Sequence, residues 1–368
     1  MKAPDMDHSR TTKLATTKTF HRHLHIFRAL TIILIVAAHS WSTPIFYYTP
    51  DFSIEPKLKL LSSVTETLFH DGTIIFALIS GLLFSLVLRG KGWHRFYASK
   101  IKNVLFPYVI MTFIYTFIHW KVTFIGFYEI KPDTIMGYLT AGLANIPSGL
   151  AGFHLWYIPV LLILFIVTPV VSVIINKKSW LLLYLIVFAP FVASRVWPEF
   201  SWLSVIYFGG AYTLGVFIGA NYEKSLQFIR QRTITLVIIF IVTSLFLVFF
   251  YQIDFDKIGF VSILESVFYL QKLAMAGLLL SIVYRVEEHV PKWIDRIGDY
   301  SFSIYFIHPV LAITLVELLK SQGYLSNEPF FVIVLGMLIL LYCVGISMLI
   351  SMMIKRLLGK YSRMIIGT

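Results

Sequence analysis

Long apolar runs alternate with short polar connections along this chain. The runs lie near residues 25–41, 73–88, 103–120, 154–175, 180–194, 202–220, 233–251, 263–283, 300–319 and 330–354. Most approach the length that crosses the hydrocarbon of a bilayer as a helix. Only helices satisfy their own backbone groups in lipid one segment at a time. The pattern therefore predicts an all-α polytopic membrane protein of about ten transmembrane helices. The interval 42–72, with Pro44, Pro50 and Pro56, is expected to be a loop of mixed charge. Residues 134–148 contain Gly142 and Pro147, and Gly149 follows; they suit a short interfacial or re-entrant piece better than a span. The expected division is a basic tail at 1–25, one membrane domain at 26–356 and a second tail at 357–368, with no internal repeat.

Composition removes the alternatives. The 368 residues are 58% hydrophobic and 14% charged, with a mean hydropathy of +0.79. A soluble domain of this size needs more charge to cover its surface. The net charge of +12 does not signal nucleic acid, because the basic residues sit in short connections beside the apolar runs. Most of the 31 lysines and arginines fall in alternate connections, the distribution of a chain with both termini in the cytoplasm. Lys57, Arg195, Lys272 and Lys320 are among those assigned to the opposite side, and Arg195 reads as surface charge. Cys343 is the single cysteine, so no intramolecular disulfide forms. The basic tail followed by Val36-Ala37-Ala38 resembles a cleavable signal, but Arg28 interrupts the apolar region, so an uncleaved anchor is expected. His21, His23 and His25 read as part of a solvated tail rather than a metal tract, and no metal site is expected.

Candidate chemistry begins in the first run, HIFRALTIILIVAAHSW. Its two interruptions, Arg28 and His39, are eleven residues apart. That separation is about three helical turns and about 16 Å of rise, so the two share one stripe. Ionisable groups inside spans are costly and point to function. The structural alternative is that Arg28 snorkels to headgroups and His39 is a neutral interfacial histidine. A neutral imidazole is suited to general-base work near neutral pH. No G-x-S-x-G elbow or His-Glu-x-x-His helix accompanies it, so such a base would act on the acceptor itself.

Further along, Arg95, Lys100 and Lys102 stand just before the third run. They suit either a phosphorylated ligand or ordinary positive-inside charge. His70 and Asp71 lie at the outer mouth of the second run, followed by Ser80-Gly81, which suits close helix packing. His154 and Trp156 begin the fourth run, as an aromatic belt or as a sugar-stacking surface. Tyr305 and His308 share a turn of the ninth, where Pro309 would kink the helix and open a pocket. Gly215 and Gly219 form a small-residue packing face.

Taken together, FRALTIILIVAAHS, FALISG, RFYASKIKNVLFPY, HLWYIP and GDYSFSIYFIHP, in this order, resemble the acyltransferase-3 family of integral membrane acyltransferases over essentially the whole chain. The resemblance implies ten core helices and an acyl-CoA, usually acetyl-CoA, as cytoplasmic co-substrate. It implies a carbohydrate acceptor of the cell surface or an exported glycan, commonly O-acetylated, at a bacterial inner membrane. It implies His39 as the catalytic histidine, Arg28 as its essential partner, and the loop with Arg95, Lys100 and Lys102 as the donor-phosphate site. The family tends to carry several arginines in that loop; lysine keeps the charge but loses the bidentate fork. Some relatives carry an appended extracytoplasmic domain, and here the membrane domain is expected to complete the transfer. The rival class is a transporter or flippase that binds a substrate in the same cavity without making bonds.

Overall fold

The computed structural model describes residues 8–46, 53–121, 132–195, 200–259 and 261–368, with the backbone alone for 8–21, 120 and 121. The helices are α1 (His8–Phe46), α2 (Lys59–Phe69), α3 (Gly72–Leu83), α4 (Trp93–Lys100), α5 (Phe106–Lys121), α6 (Ile135–Ser148), α7 (Tyr157–Asn176) and α8 (Trp180–Phe188). They continue with α9 (Trp202–Ala220), α10 (Tyr222–Gln231), α11 (Thr233–Gln252), α12 (Ile263–Val286), α13 (Lys292–Asp299), α14 (Ser301–Ser321), α15 (Pro329–Leu358) and α16 (Ser362–Ile365). A two-residue hairpin, Lys257–Ile258 against Val261–Ser262, precedes α12. Among the described residues, nine helical stretches are long and apolar enough to cross a membrane. The expected span at 180–194 is instead a shorter apolar helix over Trp180–Val192. The protein is an all-α, multi-pass integral membrane protein.

Three sequence expectations change. Among its described residues the interval 42–72 is largely helical rather than a loop; residues 47–52, with Pro50, lie outside the described residues. α1 runs on to Phe46 with Pro44 in its last turn, and α2 occupies much of the remainder. Pro56 opens the helical turn that leads into α2, a position where a missing N–H costs nothing. Leu58 is fully buried, and Phe69 stacks on Trp41 with ring centroids 5.1 Å apart.

The second change concerns the histidines before the first span. His23 is buried and ion-paired with Glu287, while His25 Nδ1 lies 3.2 Å from Asp299. Arg22 reaches Asp295 at 3.3 Å and donates to the carbonyls of Glu287 and Val290. These contacts fasten α1 to α13 and to the turn before it, so residues 22–25 belong to the packed helix rather than to a solvated tail. The hydrogen bond from His25 holds the Asp299 carboxyl below its ordinary pKa, with the Arg28 and Lys355 charges adding to the effect. The side chain of His21 lies outside the described residues.

Third, Lys272 is not a loop cation. It is buried within α12, and its ammonium donates to the carbonyls of Thr67 and Leu68, each at 3.0 Å. The last turn of a helix leaves carbonyls without partners, and Lys272 satisfies two of them in α2. The piece at 134–148 is a 14-residue helix, α6, which is not among the stretches long and apolar enough to cross a membrane. Thr134 caps its start and Gly149, with φ 73°, ends it.

The centre of the bundle is a close crossing of α3 and α9. A Cβ at Gly81 would lie 2.1 Å from the carbonyl oxygen of Tyr212, and one at Gly215 would lie 2.0 Å from that of Leu78. Small residues let the two backbones touch, the usual route to tight association where lipid supplies no hydrophobic drive. Ser85 adds a hydrogen bond to the Val216 carbonyl at 2.7 Å. Gly215→Val is expected to force these helices apart and lower stability by about 1–3 kcal/mol or more. Thermal unfolding in detergent measures this, and an unchanged midpoint would show that the crossing is not close.

Candidate active site

Arg28 and His39 both face α14, as their shared stripe requires. Arg28 Nη2 donates to Ser301 Oγ at 2.7 Å. Further along α1, the His39 ring lies 5.3 Å from the His308 ring and 4.9 Å from Phe153. Neither side chain points into the acyl tails. His39 lines a cavity of about 510 Å³, within the range of small-molecule sites. Around this cavity lie the second half of α1, the start of α3, the segment Phe153–Trp156, and Tyr305.

The remaining sequence candidates divide between two places. His70, Asp71, His154, Trp156 and Tyr305 line the same cavity as His39. His154 is buried, and its ring sits 5.2 Å from those of Tyr115 and Tyr305. The Tyr305 hydroxyl donates to the His154 carbonyl and so ties this segment to α14. His308 was expected in the pocket but stands behind its wall. It is fully buried, its Nδ1 is held by the Ile304 carbonyl at 2.8 Å, and the cavity surface passes in front of it at His39.

The basic loop does not form one cluster. Arg95 and Lys102 are exposed, whereas Lys100 turns inward with its ammonium 4.0 Å from the Phe165 ring and 5.5 Å from that of Phe96. Arg95 and Lys100 are five residues apart in α4, about 140° around a regular helix, and a π-helical turn follows at Ile101–Leu105. Lys100 interacts electrostatically with Arg28, which leaves two cations on the inner side of this end of the bundle. Nearby, a smaller cavity of about 230 Å³ lies between Arg89, Trp93, Phe96 and Asn176.

At the His70 side of the larger cavity is an ion network that includes residues the sequence did not single out. Arg195 donates through Nε to Glu265 at 2.8 Å and through its backbone N–H to the same carboxylate at 2.7 Å. Its Nη2 reaches Asp71 at 2.6 Å and His70 Nε2 at 3.2 Å. His70 Nδ1 lies 2.9 Å from Glu66, and the Tyr207 hydroxyl donates to the Glu265 carbonyl at 2.8 Å. Burial opposes the charge on Arg195, but Asp71 and Glu265 together raise its pKa above the ordinary guanidinium value. Two carboxylates are diverted to this purpose. Asp71 occupies the N-cap position of α3 in a left-handed conformation, φ 58°, yet its side chain caps nothing. Glu265 stands three residues after the N-cap Ser262, the spacing of a capping box, but it turns to Arg195.

Arg195 therefore corrects the surface-charge reading, since its side chain is 8% exposed. Two spacings carried the signal. Glu66 and His70 are one helical turn apart, and Glu265 and Lys272 are opposite charges on one face of an apolar run. Among the described residues, no group of three or more His, Cys, Asp or Glu could hold a metal ion.

The bundle thus encloses a histidine-lined chamber, with cations at one end of the first helix. Residues 22–352 match the acyltransferase-3 family, described as an acyltransferase domain. The chain belongs to that family and is an acyltransferase. It is similar to proteins named "Probable poly-beta-1,6-N-acetyl-D-glucosamine export protein" from Staphylococcus aureus strains MRSA252 and MSSA476. Each is 23% identical over 301 residues, covering 76% of this chain and 79% of the relative. No solved structure matches the chain.

Arg195→Ala would leave Asp71 and Glu265 buried without a counter-ion, a loss of about 3–5 kcal/mol. Arg195→Lys is expected to recover only part of it, because one ammonium lacks the planar fork that spans both carboxylates. Thermal unfolding of the two variants in detergent ranks them, and equal midpoints for Ala and the native chain would remove the network from the fold's support.

Proposed function

We propose that this chain transfers an acetyl group from acetyl-CoA to a hydroxyl of a cell-surface or exported glycan, at a bacterial inner membrane. The observation that carries the reading is the chamber at His39. It holds an imidazole with an accessible face, aromatic walls at Phe153 and Trp156, and carboxylates at Glu66 and Asp71. Aromatic faces and fixed hydrogen-bonding groups are what a sugar ring needs. The carbohydrate class is further supported by the name of the staphylococcal relatives.

His39 acts as the general base. It takes the proton from the acceptor hydroxyl; the oxygen attacks the thioester carbonyl, a C–O bond forms, and the C–S bond breaks. The proton then passes from His39 to the leaving thiolate. Arg28 and Lys100 face inward together and hold the anionic donor, with Arg95 and Lys102 contributing charge at the surface for its phosphates. The Phe84–Trp93 ring pair, 5.6 Å apart and nearly parallel, flanks the smaller cavity and suits the donor's base. In this reading the donor enters from the cytoplasmic side and both termini face it.

A second reading draws on the word "export" in the relatives' name. In it the chamber conducts a glycan or other solute without acyl transfer. Membrane vesicles from producing cells, supplied with labelled acetyl-CoA, separate the two. Label entering the carbohydrate fraction supports transfer; solute movement with no label incorporated supports export. His39→Ala is expected to lower incorporation by about 10²–10⁴-fold, the range for removing a general base. Arg28→Ala is expected to raise the apparent KM for acetyl-CoA. Full activity in either variant would remove that residue from the mechanism.

A further inference from the structure

We propose that His308 is the positioning residue of the His39 base: it fixes which nitrogen of His39 carries the proton. The inference rests on the reading of His39 as base and concerns a residue with no surface on the chamber. His308 is fully buried. Its Nδ1 lies 2.8 Å from the Ile304 carbonyl, and a carbonyl oxygen only accepts, so the proton sits on Nδ1. That leaves Nε2 as a bare lone pair. Among the described residues this atom is buried and has no hydrogen-bond partner, an arrangement native interiors rarely leave without use.

The neighbours narrow the donor to one group. Tyr305 lies 6.4 Å away by ring centroid, but its hydroxyl is already given to the His154 carbonyl. His154 is 5.9 Å away and steeply inclined, at 62°. His39 is nearest, at 5.3 Å and only 32° between ring planes. A small turn of the His39 side chain, or one bridging water, brings an N–H of His39 onto His308 Nε2. The other nitrogen of His39 then carries its lone pair into the cavity.

The local sequence supports this role. Pro309 has no N–H, so beside His308 the Tyr305 carbonyl lacks its ordinary helical donor although α14 runs on without a break. The chain of contacts is an acceptor carbonyl, a neutral imidazole and then the base. It has the logic of a catalytic triad with a neutral third member, in which the orienting group holds the tautomer and never takes the proton. As His39 gains the acceptor's proton it becomes an imidazolium, and its other N–H remains on His308 Nε2. When His39 returns the proton to the thiolate, His308 has gained and lost nothing.

Two substitutions test the claim by keeping opposite halves of the ring. His308→Asn retains a donor near the Nδ1 position for the Ile304 carbonyl but cannot reach His39. His308→Gln extends a carboxamide to about the Nε2 position and can accept from His39. In vesicles supplied with labelled acetyl-CoA, His308→Asn is expected to lower the maximal rate of incorporation about a hundredfold. Its apparent KM for acetyl-CoA should stay within about twofold of native, the signature of a loss confined to the transition state. His308→Gln is expected to return the rate to within about tenfold of native. Asn at native rate overturns the proposal. So does Gln as slow as Asn when both variants unfold at the native temperature, since the role would then be packing. Native activity in His39→Ala would instead overturn the reading beneath it, whereas an inactive His39→Ala beside a fully active His308→Asn would fail this inference alone.

Discussion

A guanidinium buried in a membrane bundle must bring its counter-charges with it, and Arg195 draws them from two distant parts of the chain. Asp71 lies at the turn between α2 and α3, Glu265 lies at the start of α12, and His70 carries the network on to Glu66 in α2. Each carboxylate gives up a helix-capping role to meet Arg195. The geometry of the chamber mouth depends on this network, because Asp71 and His70 together tie the turn between α2 and α3 to Arg195. Lys272 reinforces it from behind by holding the end of α2 through the Thr67 and Leu68 carbonyls.

α1 and α14 carry the residues of the proposed site. Arg28 meets Ser301, and His39 meets His308, so one helix pair carries polar contacts from one end of the bundle to its interior. The lower part of α1 is immobilised by Arg22, His23 and His25 on α13 and the turn before it. The upper part is held by Trp41 on Phe69. An imidazole acting as a base must be aimed to within a fraction of an ångström, and a helix fixed at both ends provides that aim.

Much of this was legible in the sequence. The apolar runs gave the helices, and the Arg28–His39 spacing gave the shared stripe, because a helix of constant pitch converts spacing directly into direction. The glycines at 81 and 215 read correctly as packing. Legibility failed where partner choice was set at a distance. Arg95, Lys100 and Lys102 read as one basic group, but Lys100 turns inward onto Phe165, a residue far along the chain, while the other two stay at the surface. Arg195 looked like surface charge because its partners lie far along the chain at Asp71 and Glu265. Lys272 shares a face of its apolar run with Glu265, yet nothing local shows that its partners are the carbonyls ending another helix. His23 read as solvated because Glu287 is remote in sequence.

The short helix α8 has its own bearing on the membrane around the bundle. It leaves the basic turn at Lys177 and Lys178 and, with its continuation, ends at Val192. At about 1.5 Å per residue that is about 20 Å, against about 30 Å of hydrocarbon. Arg195 follows within three residues and lines the chamber. An apolar element about 10 Å shorter than the oil it faces is met by local thinning of the bilayer or by flanking residues that snorkel. The segment that carries Arg195 therefore follows the part of the bundle least matched to a full-thickness membrane.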